Sequence, residues 1–415
     1  MKINLNRPVL LLLAAMVSVE GRPEDWPQWR GPRRDGISSE TGLLKQWPAD
    51  GPPLAWKSTG LGDGYSSVAV ANGRIFTMGN QGKDEYVLAL NEKDGKIIWS
   101  VVVGPVRANG GGYPGPRCTP TIDGDLLYAI GINGDIVCLE VSTGKERWRK
   151  EFRKDFRGEG GGWGYSESPL VDGDRVVCTP GGKEASLVAL NKKTGALIWK
   201  SSGGDVAAYS SIIIGQMGTE KQYIQFMRSS VFGVSARDGK LLWSYRKPAN
   251  GTANIATPIF SNGFVFAASS YGTGGGLVKL VPSLTPVAEP EDAAKEVYFT
   301  KQMKNHHGGL VLLGEYLYGS DESILRCLKF STGESVWDDR TAGKSSLVYA
   351  DGHLIARNEN GPVTLVEASP KGYFGKGRFQ QPDRSGKNTW PHPVVANGRL
   401  YLRDQDVLLS YNIKQ

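Results

Sequence analysis

Histidine, cysteine and methionine are scarce in this chain: four, four and six among 415 residues. The cysteines, Cys118, Cys138, Cys178 and Cys327, contain no Cys-x-x-Cys and no adjacent pair, and no histidine stands near them at zinc-ligand spacing. That argues against the common structural zinc sites and the dithiol redox motif. They fall inside expected strands, so buried free thiols are the reading, with Cys118–Cys138 the one pairing worth a test. Gly-x-Ser-x-Gly is absent, which leaves a serine hydrolase without support. The glycine-rich stretches 158–164 and 272–276 match neither a dinucleotide fingerprint nor a phosphate loop. No run of like charges reaches five residues. The formal charge of +7 is scattered, so it speaks for solubility and gives nucleic-acid binding little support.

Beyond the N-terminus no apolar run approaches the roughly 20 residues that a membrane helix requires. Residues 1–21 read as an export signal: Lys2 and Arg7, then an apolar stretch from Val9 to Val17, with Val19 and Gly21 at the −3 and −1 positions. The alternative is an uncleaved anchor. No cysteine follows the stretch, so a lipid-anchored form is not expected. The mature chain is expected in the periplasm or secreted, monomeric and without a membrane span.

What the chain has in quantity is glycine, 55 residues, placed in turns that recur. Five segments share one pattern: 89–99 (ALNEKDGKIIW), 138–148 (CLEVSTGKERW), 189–199 (ALNKKTGALIW), 233–243 (GVSARDGKLLW) and 327–337 (CLKFSTGESVW). Each carries Asp-Gly or Thr-Gly and then Trp four residues after the glycine. Such a dipeptide suits a tight turn between strands, because glycine tolerates positive φ. Upstream of these, pairs of apolar runs meet at Asn-Gly or Asp-Gly, as in 67–76 (SVAVANGRIF) and 392–401 (HPVVANGRLY). Together they make four antiparallel strands in roughly 45 residues, the size of a propeller blade. A lone four-stranded sheet with two apolar faces is unstable, and radial packing buries both.

Blades begin near Ser66, Thr119, Ser168, Ser210, Thr257, Gly308, Ser345 and Pro391, which makes an all-β, eight-bladed propeller; seven blades is the alternative. The last blade has three strands, and its missing outer strand is offered by residues 54–58, which contain Trp56. Pairing the two ends would close the ring and remove a sheet edge. The expected layout is therefore a signal at 1–21, a lead-in at 22–53 and one propeller over 54–415. Two blades are degenerate. The fifth lacks Trp and carries a Pro- and acid-rich insertion at 282–295 before a strand at 297–301. The seventh replaces the turn with 370–376 and places Phe379 where Trp would stand.

The repeated turn-and-Trp pattern resembles that of the pyrroloquinoline-quinone-like repeat propellers. These include quinone-dependent alcohol dehydrogenases and the propeller component of the outer-membrane β-barrel assembly machine. The resemblance covers residues 54–413, and 25–32 (DWPQWRGP) resembles the lead-in of secreted members. It implies that Trp56, Trp99, Trp148, Trp199, Trp243 and Trp337 each pack across a blade interface.

Residues preceding each innermost strand line a propeller's mouth. The candidates for binding are Tyr65, Arg117, Trp163, Tyr165, Glu167, Tyr209, Asn254, His306, His307, Lys344, Trp390 and His392: aromatic planes to stack on a ligand and polar groups to orient it. The plain alternative is an ordinary hydrated mouth without a ligand. His306-His307 is read as a hydrogen-bonding pair in preference to a metal pair. The family's dehydrogenases imply pyrroloquinoline quinone with calcium, but the adjacent cysteine pair common among them is absent, and only Glu167 and Asn254 stand at suggestive places. No catalytic residue transfers by motif, and no cofactor or metal is expected. The leading expectation is a non-catalytic binding or scaffold module for an envelope protein or small ligand, with insertions 107–116 and 156–165 shaping one rim. The alternative is a quinone-dependent alcohol or sugar dehydrogenase. Membership in outer-membrane assembly rests on fold analogy, and the missing anchor cysteine argues against it.

Overall fold

The computed structural model describes residues 24–107, 112–282 and 289–415. The export-signal reading at 1–21 lies outside them, as do parts of the insertions at 107–116 and 282–295. Eight antiparallel sheets follow one another around a ring. The first shows the pattern: Ala69–Ala71, Arg74–Gln81, Asp84–Asn91 and Ile97–Pro105. Its middle strands are almost wholly buried, because each faces a neighbouring blade on both sides. Among the described residues no helix is long and apolar enough to cross a membrane.

The ring closes where expected. Leu54–Ser58 pairs antiparallel with Val407–Asn412, with Leu54 opposite Tyr411 and Trp56 opposite Ser410. The blade thus joins the two ends of the chain, so neither can leave without opening the circle.

At the blade interfaces the indole N–H groups reach carbonyls of the following blade. Trp56 donates to Glu92, Trp99 to Val141, Trp148 to Lys192, Trp199 to Ala236 and Trp337 to Ser369, at 2.8–3.2 Å. The turn glycines have a second purpose beyond positive φ. A Cβ on Gly95, Gly144, Gly195 or Gly239 would lie 2.5–2.9 Å from the indole or a side chain beside it. Only a bare Cα lets the rings lie flat there.

Trp243 differs: its indole donates to Gln222 of its own blade at 2.5 Å, because the fifth blade offers no such glycine turn. In that fifth blade Tyr298 stands where Trp is missing, donating to the Phe330 carbonyl at 2.9 Å and covering Gly333. Its outer strand is Ala294–Thr300, beginning three residues before the expected 297. Phe379 of the seventh blade packs against Trp47 and Tyr411 with ring centroids 5.5 and 5.2 Å apart. The four cysteines are buried and free. Cys118 accepts the Ile130 N–H at 3.3 Å, and Cys118 and Cys138 are not bonded to each other.

The segment read as a lead-in is part of the ring's core. Residues 26–37 cross the channel at one end and between them touch all eight blades. Trp26 exchanges backbone hydrogen bonds with Val70, and Pro27 accepts from Ile122. Arg34 donates to Ser168 and Pro169 of the third blade and to Ile212 of the fourth. The Trp29 indole donates to Thr257, and Arg30 donates to the Leu310 carbonyl. Ile37–Ser38 adds a parallel fifth strand to the seventh blade, and Trp29 packs 4.4 Å from His392 of the eighth. Both arginines are buried, and burial lowers each guanidinium to about 10.

Candidate functional site at the channel mouth

With one end plugged, the channel opens at the other as a cavity of about 220 Å³. It is built where the chain enters each inner strand. Those entries are loops, so their side chains are free of the strand's alternation and can converge on the axis. Tyr65, Arg117, Trp163, Tyr209, His306, His307 and Trp390 all line it. Trp29, from the plug, forms its floor: it lines both this cavity and a small enclosed space beneath.

One wall is a run of packed rings. Tyr65 and Tyr113 lie 4.9 and 4.8 Å from Trp390, and His307 lies 5.4 Å from it. Across the cavity Trp163 sits 5.6 Å from Tyr209. Gly164, at φ +85°, turns the backbone so that Trp163 faces inward; a Cβ there would lie 2.6 Å from Ile132. The Arg117 guanidinium lies 5.7 Å over the Tyr65 ring and donates to carbonyls of Tyr113, Gly115 and Trp163. Ser166 Oγ, also on the wall, is buried with no hydrogen-bond partner among the described residues.

A polar chain runs behind the ring wall. The Tyr271 hydroxyl meets His306 Nε2 at 2.9 Å, and His306 Nδ1 meets His307 Nε2 at 2.9 Å. His307 Nε2 lies 3.2 Å from Glu359, which also takes the Lys344 ammonium at 3.3 Å and the Trp390 indole N–H at 3.2 Å. Burial, with His307 beside it, lowers His306 to about 3, so it is neutral in the physiological range. Burial pushes against the charge on Glu359, yet its hydrogen bonds from His307 and Trp390, with Lys344 alongside, hold its carboxyl down at about 2. The two histidines occupy a loop before the strand Val311–Leu313, so both reach the cavity.

The remaining candidates do not line it. Tyr165 is buried against Phe152, with its hydroxyl donating to Pro180 at 2.8 Å. Glu167 lies in the ring wall beside Thr179, Gln225 and the plug's Arg34, and burial raises its carboxyl to about 8. The Asn254 amide is spent on the carbonyls of Met227 and Arg228, both at 2.9 Å. Lys344 is drawn away to Glu359, and His392 is buried under Trp29, donating through Nε2 to the His307 carbonyl at 3.1 Å. These residues lie in irregular backbone before the inner strands, where no alternation fixes which way a side chain turns.

Sequence reasoning missed Trp29, Tyr113, Ser211, Ile255 and Tyr271 on the wall and Glu359 behind it. Tyr113 lay within the insertion already singled out. Trp29 carried a signal in its Trp-Pro-x-Trp-Arg-Gly surroundings. Tyr271 and Glu359 sit between strands inside their blades and had none.

The residues present do not fit a quinone held by calcium. Glu167 and Asn254, the two residues suggestively placed for that reading, face the ring wall and the neighbouring backbone and do not line the cavity. Among the described residues no group of three or more His, Cys, Asp or Glu is arranged to hold a metal ion.

Fold and mouth together define a propeller with one sealed end and one open, aromatic-lined end. A family model described as outer membrane protein assembly factor BamB matches residues 83–339, more than half of the chain. The chain belongs to this family of pyrroloquinoline-quinone-like repeat propellers. Among its relatives is the assembly factor BamB of Burkholderia pseudomallei, 24% identical over 66% of this chain and 67% of that protein. That of Moranella endobia is 22% identical over 74% and 67%. The crystal structure of BamB from Moraxella catarrhalis superposes with a TM-score of 0.60 at 15% identity, over 84% of this chain and 94% of that one. The quinohemoprotein alcohol dehydrogenase of Comamonas testosteroni gives 0.67 at 11%, over 95% and 81%. At these identities the two structures share the fold, and their activities do not transfer.

Proposed function

We propose that the chain is an exported, non-catalytic binding module whose rigid ring presents its open mouth to a partner in the cell envelope. One observation carries this: the plug of residues 26–37 blocks one end of the channel, leaving the other end open as a concave, aromatic face. Aromatic residues concentrated in a concave patch are what interface hot spots are made of. The names of the relatives, assembly factors of the outer membrane, support an envelope partner of that kind. The dehydrogenase reading is the weaker one, because Glu167 and Asn254 do not line the cavity and the Asn254 amide is spent on backbone carbonyls.

Photo-crosslinking tests the proposal. A crosslinker at Tyr113 or Tyr271, both exposed at the mouth, is expected to trap the same envelope protein reproducibly. The same crosslinker at Asp94 or Lys193, in turns on the opposite rim, is not. Equal yields from both rims would refute the mouth as the binding face. Stoichiometric uptake of pyrroloquinoline quinone with calcium, followed by oxidation of alcohols or sugars, would overturn the non-catalytic role.

A further inference from the structure

Resting on that reading of the mouth, we propose that its partner segment is an acidic peptide that inserts one aromatic side chain into the ring-lined cavity, between guanidiniums that have no carboxylate of their own. Arg107, Arg117 and Arg228 are those cations. Arg107 donates to the Gly162 carbonyl and Arg117 to the Trp163 carbonyl, both at 3.0 Å, and Arg228 lines the groove that Gly162, Trp163 and Tyr209 share. None forms an ion pair among the described residues, whereas Lys344 and Lys387 on other loops of the same rim do.

The acids on neighbouring loops are engaged elsewhere. Asp63 pairs with Lys387 and Glu359 with Lys344. Glu85 lies near enough for its charge to act on Arg117, but burial raises its carboxyl to about 8 and favours its neutral form. Asp205 accepts the backbone N–H groups of Val206 and Ser229. Glu159 makes no ion pair with any of the three arginines. Like charges left together in a partly desolvated hollow are costly, and an incoming carboxylate relieves that cost.

Size selects the occupant. A cavity of about 220 Å³ is smaller than the roughly 300–1,000 Å³ of pockets for drug-sized ligands, yet it suits a single side-chain ring. Beside it runs a groove of about 440 Å³ that shares Trp163 and Tyr209 and is lined by Arg228, Gly161, Gly162 and the 250–254 turn. The cavity accepts the ring, and the groove accepts the flanking chain with its charges. Ser166 Oγ, buried and unpartnered, is a polar group on that wall for the inserted residue. Arginine clusters reading acidic motifs, with one aromatic anchor, are a recurring mode of peptide recognition.

The test is calorimetric titration of the full chain with acetyl-Asp-Glu-Phe-Glu-Asp-amide, its Asn/Gln counterpart and its Phe→Ala counterpart, at two salt concentrations. Benzoate alone serves as a small-molecule control. The acidic Phe peptide is expected to bind, to weaken about tenfold when either its charge or its ring is removed, and to weaken again as salt rises. Arg228→Gln, at an exposed side chain, should weaken the acidic peptide about fivefold and leave the neutral one unchanged. Arg117→Gln should do more, although it also disturbs three backbone contacts; Arg228→Gln is free of that ambiguity. Equal affinity for acidic and neutral peptides would sink the proposal. So would benzoate binding as tightly as the peptide, which would make the mouth a small-molecule site. Successful crosslinking from the mouth together with failure of these peptides would leave the platform role standing and this partner chemistry refuted.

Discussion

The two ends of the channel use arginine in opposite ways. At the sealed end Arg34 is wholly buried, and its guanidinium is saturated by the Gln28 side chain and three carbonyls from two blades. At the open end Arg228 is exposed, and its guanidinium has no partner among the described residues. The first is a fastener, since its bonds are made within the chain. The second is held available, because the chain supplies nothing to bond with. A cation's role follows from whether its hydrogen bonds are already made, more than from its identity.

That contrast predicts a gradient of effects. Arg34→Met should cost most, more than about 3 kcal/mol, because three buried carbonyls lose their donor at once; urea unfolding measures it. A smaller loss, similar to that of a surface substitution, would break the distinction between the two ends. Trp199→Ala should cost about 3–5 kcal/mol, as the buried indole covering Gly239 is lost. Tyr298→Phe, which removes only a hydroxyl, should cost about 1 kcal/mol.

The next effect is on pH dependence. Burial raises Glu85 and Glu167 to about 8 each. The folded state therefore holds protons that the unfolded chain releases near pH 4–5, so the contribution of these two carboxyls to stability should fall as pH rises from about 5 to 9, against the opposite slope that the buried neutral His306 and His392 give below about pH 7. Glu85→Gln and Glu167→Gln should flatten that fall in thermal melts across the range. Variants whose pH dependence matches that of the unaltered chain between pH 7 and 9 would contradict the burial of these carboxyls. The cysteines should be unreactive: burial pushes Cys118 up to about 12 and Cys138 to about 11. Alkylation at pH 8 should proceed only after denaturant is added. The smallest effect belongs to the open end, where Arg228→Gln should change stability by less than about 0.5 kcal/mol.

Legibility in the sequence followed the same division. The pairing of residues 54–58 with the last strand was readable, because a blade short of one strand and a spare strand with Trp both leave marks in the pattern. Tyr298 was not readable as a stand-in for Trp, since one aromatic in a strand carries no period. Of the twelve mouth candidates, seven line the cavity. The others were misplaced by direction: Tyr165 and Glu167 flank Ser166, which lines the cavity, yet both turn into the ring wall, and irregular backbone carries no period from which to read that.

The sequence by itself determined the repeat, the number of blades and the closing strand, because these are periodic and each period is enforced by a local turn and a local indole. Only the tertiary structure decided that residues 26–37 seal the channel, that Glu359 stands behind Trp390, and that the mouth's arginines lack carboxylates. Those facts depend on which distant segments meet at the axis, and no spacing along the chain encodes a meeting of eight blades at one point.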